Sequence, residues 1–481
     1  MLYLQKKIVM IIGRIKEQEI LREAYESEYS QFVAVYGRRR VGKTFLVRET
    51  FDYQFTFEHS GVAQGNNRVQ LTAFRDSLVD AGMQKMAIPA NWMEAFALLR
   101  QFIRHAPEGK KVIFIDEIPW MDAPRSNFVS ALEYFWNAFA SARKDILLII
   151  CGSATSWIIN KVLKNHGGLH NRVTCRLHIQ PFTLCECKKY MNSRNFQFSR
   201  YDLLELYMVL GGIPFYWSML ERGKSVAQNI DNLVFNENGQ LHNEFNELYD
   251  SLFKNPEQYI SVVMALGNNG HGMTREEIVK ACDLDGNGKT TRILEDLQEC
   301  GFIRKVPSFG KSNNATFMLI DNFTLFFLKF VKENKANDEQ YWSHNYLSPV
   351  RAAWVGLAFE KVCFQHITQI KKALGISGVV TNVYSWRVGP SPDGDAGAQI
   401  DMLIDRADNM VNICEMKFSK QEYVVTNDDA MNLHHKAQRF VNDKGKGKSV
   451  CLTMITVNGI AKTAHWGDIH QSITAEDLFV K

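Results

Sequence analysis

The sequence has no hydrophobic run long enough to cross a membrane and no segment typical of a secretory leader. Its first apolar stretch, Ile8 to Ile12, is far shorter than the roughly 20 residues of a membrane-spanning helix. Nine cysteines are scattered along the chain, and the one close pair, Cys185-x-Cys187, has no second pair to complete a zinc site. With the odd cysteine count, these absences predict a cytoplasmic protein that has reduced thiols and does not contact a membrane.

The sequence also lacks a strong charge bias, internal repeats and low-complexity tracts. Its 56 basic and 52 acidic residues give a net charge of +4, which permits nucleic-acid binding without arguing for it. Thirteen histidines show no metal-ligand spacing. Hydrophobic residues make up 46% and charged residues 22%, as in ordinary globular proteins. Because 481 residues are too many for one hydrophobic core, we expect several domains.

Continuous apolar runs indicate a buried parallel sheet in residues 1–181. The runs Phe32–Tyr36, Val112–Ile115 and Ile146–Cys151 are aliphatic or β-branched, as in strands that are covered on both faces, and amphipathic helices separate them. This pattern predicts a doubly wound α/β domain at the start of a multidomain α/β protein.

Three further regions follow. Residues 182–253 have helical spacing, with a turn at Gly211-Gly212-Ile213-Pro214, and predict a helical lid. Residues 254–331 show three helices and a hairpin, which is the order of a winged helix. After a polar linker, residues 341–481 begin with a helix and continue with strands, which predicts a small C-terminal α/β domain.

A phosphate-binding loop stands between the first predicted strand and a helix. Gly37 to Thr44 matches G-x-x-x-x-G-K-[ST] in full, and such a loop presents its N–H groups to phosphate at a helix N-terminus. Lys43 would contact the β- and γ-phosphates, and the Thr44 hydroxyl would bind Mg²⁺. The candidate nucleotide-binding residues of this segment are Gly37, Arg38, Arg39, Arg40, Val41, Gly42, Lys43, Thr44 and Phe45.

Acidic residues end the second predicted strand. Asp116 can complete the Mg²⁺ site, and Glu117 can orient the attacking water, a pattern typical of P-loop enzymes that hydrolyse ATP. The third strand leads into Ser153, which we assign to sensing the γ-phosphate, although a turn of small residues explains that segment almost as well. The predicted ligands are therefore ATP and Mg²⁺.

Several segments, in this order, resemble the archaeal-type AAA-like ATPases, which are relatives of the STAND and AAA+ ATPases. The segments are Ile12-Gly13-Arg14, Tyr36 to Thr44, Ile115-Asp116-Glu117, Cys151-Gly152-Ser153 and Gly211 to Pro214. The resemblance implies that Gly13 and Arg14 lie against the adenine, with Ile12 beside them. It also implies a lid, a winged helix, and a homo-oligomer in which Arg172 reaches a neighbouring subunit's γ-phosphate; a surface arginine is an equally good explanation of Arg172.

The C-terminal region resembles the restriction-endonuclease-like PD-(D/E)xK core. The matching residues are Gln399-Ile400-Asp401 and Glu415-Met416-Lys417, with Ile400 where the motif's name has proline. A hairpin that turns at Asp408-Asn409 places Asp401 opposite Glu415, and Lys417 two residues further on the same face. Asp401 and Glu415 would bind Mg²⁺, and Lys417 would orient a water for phosphodiester cleavage. The resemblance implies Glu360 as a further acid; an ordinary hairpin of mixed charges is the alternative.

The predicted winged helix gives a divided signal for DNA. The basic residues Lys289, Arg292, Arg304 and Lys305 would suit phosphate, whereas acidic residues on the same helix would repel it. We therefore expect an ATPase that couples its nucleotide state to a nuclease-like, DNA-acting domain. Two alternatives remain open: a STAND-like switch that acts through partner proteins, and a winged-helix DNA-binding regulator with an inert C-terminal domain.

Overall fold

A computed structural model describes residues 11–164, 169, 171–253, 255–310, 315–334, 336–390 and 396–481. The chain forms two compact units, Met1–Pro181 and Phe182–Lys481. The division falls where the sequence predicts the end of the nucleotide domain. The three later regions lie together in the second unit, and the boundaries drawn between them stay predictions. Among the residues described, no helix combines the length and the apolarity needed to cross a bilayer.

A parallel sheet forms the centre of the first unit. Its strands are β1 (Gln31–Tyr36), β2 (Phe57–Ser60), β3 (Lys111–Asp116), β4 (Ile146–Gly152) and β5 (Cys175–His178). They lie in the order β2-β3-β4-β1-β5, and every pairing is parallel. The three central strands are the three predicted apolar runs, and every residue of β3 and β4 is buried. Because β4 separates β1 from β3, the phosphate loop and the acidic strand end lie on either side of it.

Helices cover both faces of this sheet. They are α1 (Ile15–Glu26), α2 (Lys43–Thr50), α3 (Asn67–Asp80), α4 (Trp92–His105), α5 (Phe128–Phe135) and α6 (Thr155–Ile158), with π-helical turns at Trp136–Ala140 and Ile159–Leu163 and a 3₁₀ turn at Ile118–Met121. Side chains of Asn66 and Asn91 accept backbone N–H groups at the starts of α3 and α4. An aromatic core in which Phe74, Trp92 and Phe128 pack edge to face fixes these helices to the sheet.

The second unit begins with helices. They are α7 (Leu184–Ser193), α8 (Arg200–Leu210), α9 (Pro214–Ser218), α10 (Val226–Ile230) and α11 (Glu244–Leu252), with a π-helical turn at Asp231–Phe235. The predicted turn lies between α8 and α9, where Gly211 has φ 61° and Pro214 is the first residue of α9. There the backbone of Gly212 lies against Phe182, whose N–H donates to the Gly212 carbonyl over 2.6 Å.

A small antiparallel sheet and its helices come next. The elements are α12 (Pro256–Asn269), β6 (Met273–Thr274), α13 (Arg275–Ala281), α14 (Gly288–Glu299), β7 (Ile303–Pro307), β8 (Ala315–Leu319) and α15 (Asn322–Phe326), with a π-helical turn at Phe327–Val331. The strand order is β6-β8-β7. Three helices followed by a hairpin match the predicted order, and Thr274 and Glu277 form the predicted capping box at α13.

The C-terminal part contains a mixed five-stranded sheet. Its elements are α16 (Tyr341–His344), α17 (Pro349–Gln365), α18 (Ile367–Ala373), β9 (Thr381–Val388), β10 (Ala398–Arg406), β11 (Met410–Lys417), α19 (Asn427–Asp443), β12 (Ser449–Thr456), β13 (Gln471–Thr474) and α20 (Ala475–Leu478), with a 3₁₀ turn at Trp466–Asp468. The order is β13-β12-β11-β10-β9; β9, β10 and β11 are antiparallel, and β12 and β13 run parallel to β11. Met402 pairs with Cys414 and Leu403 with Ile413, which is the predicted hairpin register.

Buried polar contacts join the first helices of this unit to α17. Glu205 of α8 forms an ion pair with Arg351 of α17, and both side chains are buried. Trp342 donates its ring N–H to Glu205 over 3.2 Å, and the Arg351 guanidinium lies 4.2 Å from the Trp342 ring centre. The Leu184 N–H also donates to the ring of buried His366 over 3.1 Å. Since breaking a buried ion pair is costly, α8 and α17 are held together firmly.

We expect Gly212→Ala to destabilise the second unit. A methyl group at this position would lie 1.9 Å from the Phe182 carbonyl oxygen, so the turn or α7 must shift. The expected loss is about 3 kcal/mol of unfolding free energy, read as a lower calorimetric transition temperature. The matched control is Gly286→Ala, where a methyl group would have no neighbour within 4 Å. Equal transition temperatures for the two variants would contradict this account of the turn.

Candidate functional sites

The phosphate loop has the backbone geometry that its glycines allow. Gly37 has φ 142° and Gly42 has φ 87°, and a methyl group on Gly37 would lie 2.3 Å from the Ile179 carbonyl oxygen. The Lys43 ammonium donates to the carbonyls of Gly37 and Arg38, each over 2.9 Å. It is therefore held inside the loop at the start of α2, where the helix N-terminus also favours an anion.

The remaining predicted loop residues differ in their exposure. Arg38 and Val41 are buried, Arg39 and Arg40 are half-buried, and Phe45 is 44% exposed. Arg40 has φ 68°, which is uncommon for a residue with a side chain and shows how tightly the loop turns. The loop residues are thus brought together as the motif predicts, while Phe45 points largely to solvent.

A hydrogen bond brings the two halves of the predicted metal site together. The Thr44 hydroxyl donates to Asp116 Oδ2 over 2.7 Å, and Asp116 Oδ1 accepts the Glu117 N–H over 2.9 Å. Asp116 is only 4% exposed. A hydroxyl and a buried carboxylate beside a phosphate loop are oxygen ligands of the kind that Mg²⁺ prefers. The residues present therefore fit that ion.

Glu117 and Ser153 are in direct contact. The Ser153 hydroxyl donates to Glu117 Oε2 over 3.0 Å and lies 3.2 Å from Oε1. Glu117 has φ 46°, so its backbone adopts the left-handed conformation directly after β3. This arrangement holds the carboxylate at the carboxyl end of the sheet. Ser153 follows β4, as predicted, and its observed partner is the carboxylate.

Arg14 braces the loop from the N-terminal side. Its guanidinium donates to the Gln180 carbonyl over 2.5 Å and lies 3.5 Å from the Val41 carbonyl. The side chain is buried, and Gly13 and Arg14 have φ angles of 71° and 56°. The segment implied to contact the adenine therefore does lie beside the phosphate loop. The bracing role of the Arg14 side chain could not be deduced from the motif.

His178 is a neighbour of this site that the sequence did not reveal. Its ring stacks on Tyr36 with a centroid distance of 4.8 Å and an interplanar angle of 9°. Burial lowers the pKa of His178, and the charge of Lys43 lowers it further. Tyr36 directly precedes the phosphate loop, whereas His178 belongs to no recognisable motif, so no pattern could have identified the stacked pair. Arg172 lies exposed just before β5, and its role toward a neighbouring subunit stays a prediction.

Two of the predicted acidic residues of the C-terminal sheet lie near Glu360 of α17, whose pKa is raised by burial and by the charges of Asp401 and Glu415. The ladder between β10 and β11 ends at the pair Met402 and Cys414, one step short of Asp401 and Glu415, and the register of β10 against β9 shifts between Ile400 and Leu403. Lys417 Nζ lies 3.2 Å from Glu415 Oε1, and Lys436 of α19 lies 2.9 Å from Glu415 Oε2. Gln399 donates to Asp401 over 2.7 Å. The predicted lysine therefore contacts Glu415, one of the two predicted carboxylates.

Glu360 lies beside this group on α17. Burial raises its pKa from 4.5 to about 7, and the charge of Asp401 contributes in the same direction. Its Oε2 is buried and makes no hydrogen bond within the described structure. The Lys361 ammonium lies 3.9 Å from the same oxygen. Carboxylate oxygens are the ligands that Mg²⁺ prefers, so the residue types present fit that ion. Over the described residues, however, no cluster of three or more His, Cys, Asp or Glu side chains has metal-binding geometry.

His271 and Lys436 are the contacts of this site that the sequence did not predict. His271 Nδ1 lies 3.7 Å from Asp401 Oδ1, and the Lys361 ammonium donates to the Gly270 carbonyl over 2.9 Å. The loop between α12 and β6 thus reaches the acidic residues of β10. The contact of His271 with Asp401 and that of Lys436 with Glu415 each join segments that are distant in sequence, and no local pattern marks such pairs.

Comparisons with known proteins agree with the nucleotide site. Residues 12–220 match a family described as an ATPase domain predominantly from Archaea. An uncharacterised protein of Methanocaldococcus jannaschii, MJECL04, is 25% identical over 371 residues, which cover 76% of this chain and 78% of that protein.

Two solved structures are also similar to this chain. The Walker-type ATPase paby2304 of Pyrococcus abyssi is 16% identical, with 66% of this chain and 96% of that chain covered and a TM-score of 0.48. The ORC2 protein of Aeropyrum pernix, solved with ADPNP and ADP, is 13% identical, with 73% and 94% covered and a TM-score of 0.40.

The pKa of Glu360 predicts a pH-dependent stability. Because the folded carboxyl titrates near 7 and the unfolded one near 4.5, the folded state binds the extra proton between these values. This extra proton contributes at most about 3 kcal/mol to the free energy of unfolding. The contribution is fully present below pH 4.5 and is lost as the pH rises through 7. In EDTA, Glu360→Gln should therefore raise the calorimetric transition temperature more at pH 8 than at pH 5. The exposed control Glu422→Gln should show no such difference.

Proposed function

Since residues 12–220 carry a P-loop ATPase domain of the archaeal type, we propose that this protein hydrolyses ATP with Mg²⁺ and couples the nucleotide state to a nuclease-like domain that acts on DNA. The observation that carries the ATPase part is the hydrogen bond between Thr44 and Asp116. It joins two motifs that are 72 residues apart in the sequence into one oxygen-ligand site beside the phosphate loop.

Phosphoryl transfer to water would use the loop residues in distinct roles. Lys43 and the N–H groups at the start of α2 would neutralise the β- and γ-phosphates. Thr44 and Asp116 would hold Mg²⁺, which supplies charge stabilisation when bound. Glu117 would accept the hydrogen bond of the attacking water and orient it. Ser153 would keep the Glu117 carboxylate in place until the γ-phosphate competes for the hydroxyl.

The nuclease-like part rests on the topology and side chains of the C-terminal sheet. A helix, an antiparallel three-stranded meander, a second helix and a parallel strand follow one another in α17, β9 to β11, α19 and β12. This order is similar to the PD-(D/E)xK core. Asp401 and Glu415 would bind Mg²⁺, and Lys417 would position the water that attacks the phosphodiester.

Coupling between the two activities is supported by the contacts of α8. The family match extends to residue 220 and therefore includes α8. Glu205 of α8 is ion-paired to Arg351 of α17, and α17 also carries Glu360. A nucleotide-dependent movement of α8 would accordingly be passed to a helix of the acidic site.

The three-helix and hairpin module resembles a winged helix, and we assign its predicted recognition helix, α14, to packing. Arg304 donates to the Phe364 carbonyl and so faces the protein. Asp296 of α14 is buried and accepts the Tyr259 hydroxyl over 2.8 Å. Arg304, one of the cations predicted to contact DNA, is thus engaged by the protein itself. The acidic residues Glu295 and Glu299 of α14 would repel phosphate. A DNA-binding regulator that works through this module is thus the least supported alternative.

A STAND-like switch that acts through partner proteins is the second candidate. The observation that favours it is that Lys417 and Lys436 already neutralise Glu415. In such a switch the acidic residues would stabilise the fold without cleaving DNA, and the exposed Arg172 would act between subunits of a homo-oligomer.

We expect single substitutions to separate ATP binding from hydrolysis. Lys43→Ala should lose both, because the loop loses its central positive charge. Glu117→Gln should retain binding of a fluorescent ATP analogue and lose phosphate release by about 100-fold or more. Asp401→Ala is the matched control and should hydrolyse ATP at the wild-type rate. Undiminished phosphate release by Glu117→Gln would show that another group orients the water.

Plasmid nicking tests the nuclease-like domain. With Mg²⁺ and ATP, the wild-type protein should nick supercoiled DNA, and Asp401→Ala should lose this activity while its ATPase rate is preserved, because the metal loses one of its two carboxylates. Glu422→Gln, an exposed acid on the segment after β11, is the control. Absence of nicking by the wild-type protein, together with nucleotide-dependent capture of a defined partner protein, would favour the switch.

A further inference from the structure

We propose that the cleft between the three-stranded and the five-stranded sheet of the second unit binds an unpaired DNA strand and leads its backbone to Asp401. The proposal rests on the proposed function of the acidic site and names the form of its substrate. The cleft has a volume of about 330 Å³. Its walls include His271, Thr274, Ser308, Arg387, Asp401 and Lys444.

Cationic groups on the walls suit a phosphodiester backbone. Arg387 of β9 and Lys444, the residue after α19, line the same cleft. Arg387 is 64% exposed, so its charged end can reach a ligand, and the His271 ring, which is 57% exposed, adds a polar group beside Asp401. Hydroxyl groups of Thr274 and Ser308 add donors of the kind that contact phosphate oxygens.

The acidic groups on the walls, apart from Asp401, are occupied by the protein. Glu277 accepts the Thr274 N–H over 2.7 Å in the capping box and pairs with Arg387 over 3.3 Å. Asp443 accepts the ring N–H of Trp386 over 2.9 Å. Their negative charges are therefore partly compensated. Asp401, which lies near Glu360, is the wall carboxylate that a metal-bound phosphate would approach.

The size of the cleft selects for an unpaired strand. A nucleotide has a volume on the order of 300 Å³, comparable with small-molecule pockets. A duplex, whose major groove alone is about 12 Å wide, is too large for this space. Phe309 also lines the cleft, where edge-to-face packing on Tyr384 and Phe440 and the Lys448 ammonium, 5.8 Å from its ring centre, hold it as a rigid apolar part of the wall.

The experiment measures binding without cleavage. Full-length protein in EDTA is titrated into a labelled single-stranded DNA of mixed sequence, the matching duplex and the matching single-stranded RNA, with fluorescence anisotropy as the readout. The wild-type protein should bind the single-stranded DNA most tightly. The double variant Arg387→Ala/Lys444→Ala should weaken this binding about tenfold and reduce the salt dependence by about two phosphate contacts.

The matched control is Arg200→Ala/Lys224→Ala, which removes two exposed charges of the same unit outside the cleft. It should bind like the wild-type protein. Equal affinity of the cleft variant and the control variant, or tighter binding of duplex or of RNA, would overturn the proposal. The binding assay needs no cleavage, so it tests the cleft separately from the nuclease activity. If the wild-type protein binds the single strand in this assay but does not nick plasmid DNA, the nuclease activity is refuted and the cleft assignment stands.

Discussion

The nucleotide site depends on one contact, the hydrogen bond between the Thr44 hydroxyl and the Asp116 carboxylate. This contact exists only because β4 lies between β1 and β3 in a fixed register, with Val33 beside Ile149 and Phe114 beside the same residue. Parallel strands in register end at one edge, so the loop after β1 and the acids after β3 meet there. Glu117, Ser153 and the Arg14 brace are all arranged around that edge.

Much of this site could be predicted because its determinants are local. The phosphate loop is continuous in sequence, and the three central strands are apolar on both faces, so each gives a clear signal. The edge strands β2 (Phe57–Ser60) and β5 (Cys175–His178) contain polar residues that are only partly covered, and their short pattern cannot be told from a loop. The place of His178 beside Tyr36 therefore could not be predicted, since it depends on the pairing of β5 with β1.

The C-terminal sheet shows the same division between local and distant determinants. The hairpin register follows from a short turn, which is why the pairing of Met402 with Cys414 agrees with the register predicted from residue spacing alone. Lys436 and His271 reach these residues from α19 and from the loop before β6, and those approaches are set by tertiary packing. Packing of this kind leaves no periodic pattern in a sequence, so the approach of Lys436 and His271 to the acidic site could not have been inferred.

The buried ion pair of Glu205 and Arg351 joins α8 to α17, the helix that carries Glu360. A buried ion pair adds little net stability compared with apolar packing, but separating its partners leaves a charge stranded in a low dielectric. Burial already raises the pKa of Glu205 despite the nearby guanidinium, which shows how unfavourable an unpaired carboxylate would be there. Helices α8 and α17 should accordingly move together. The proposed coupling would use this pair, because α8 is bound to the helix that carries Glu360.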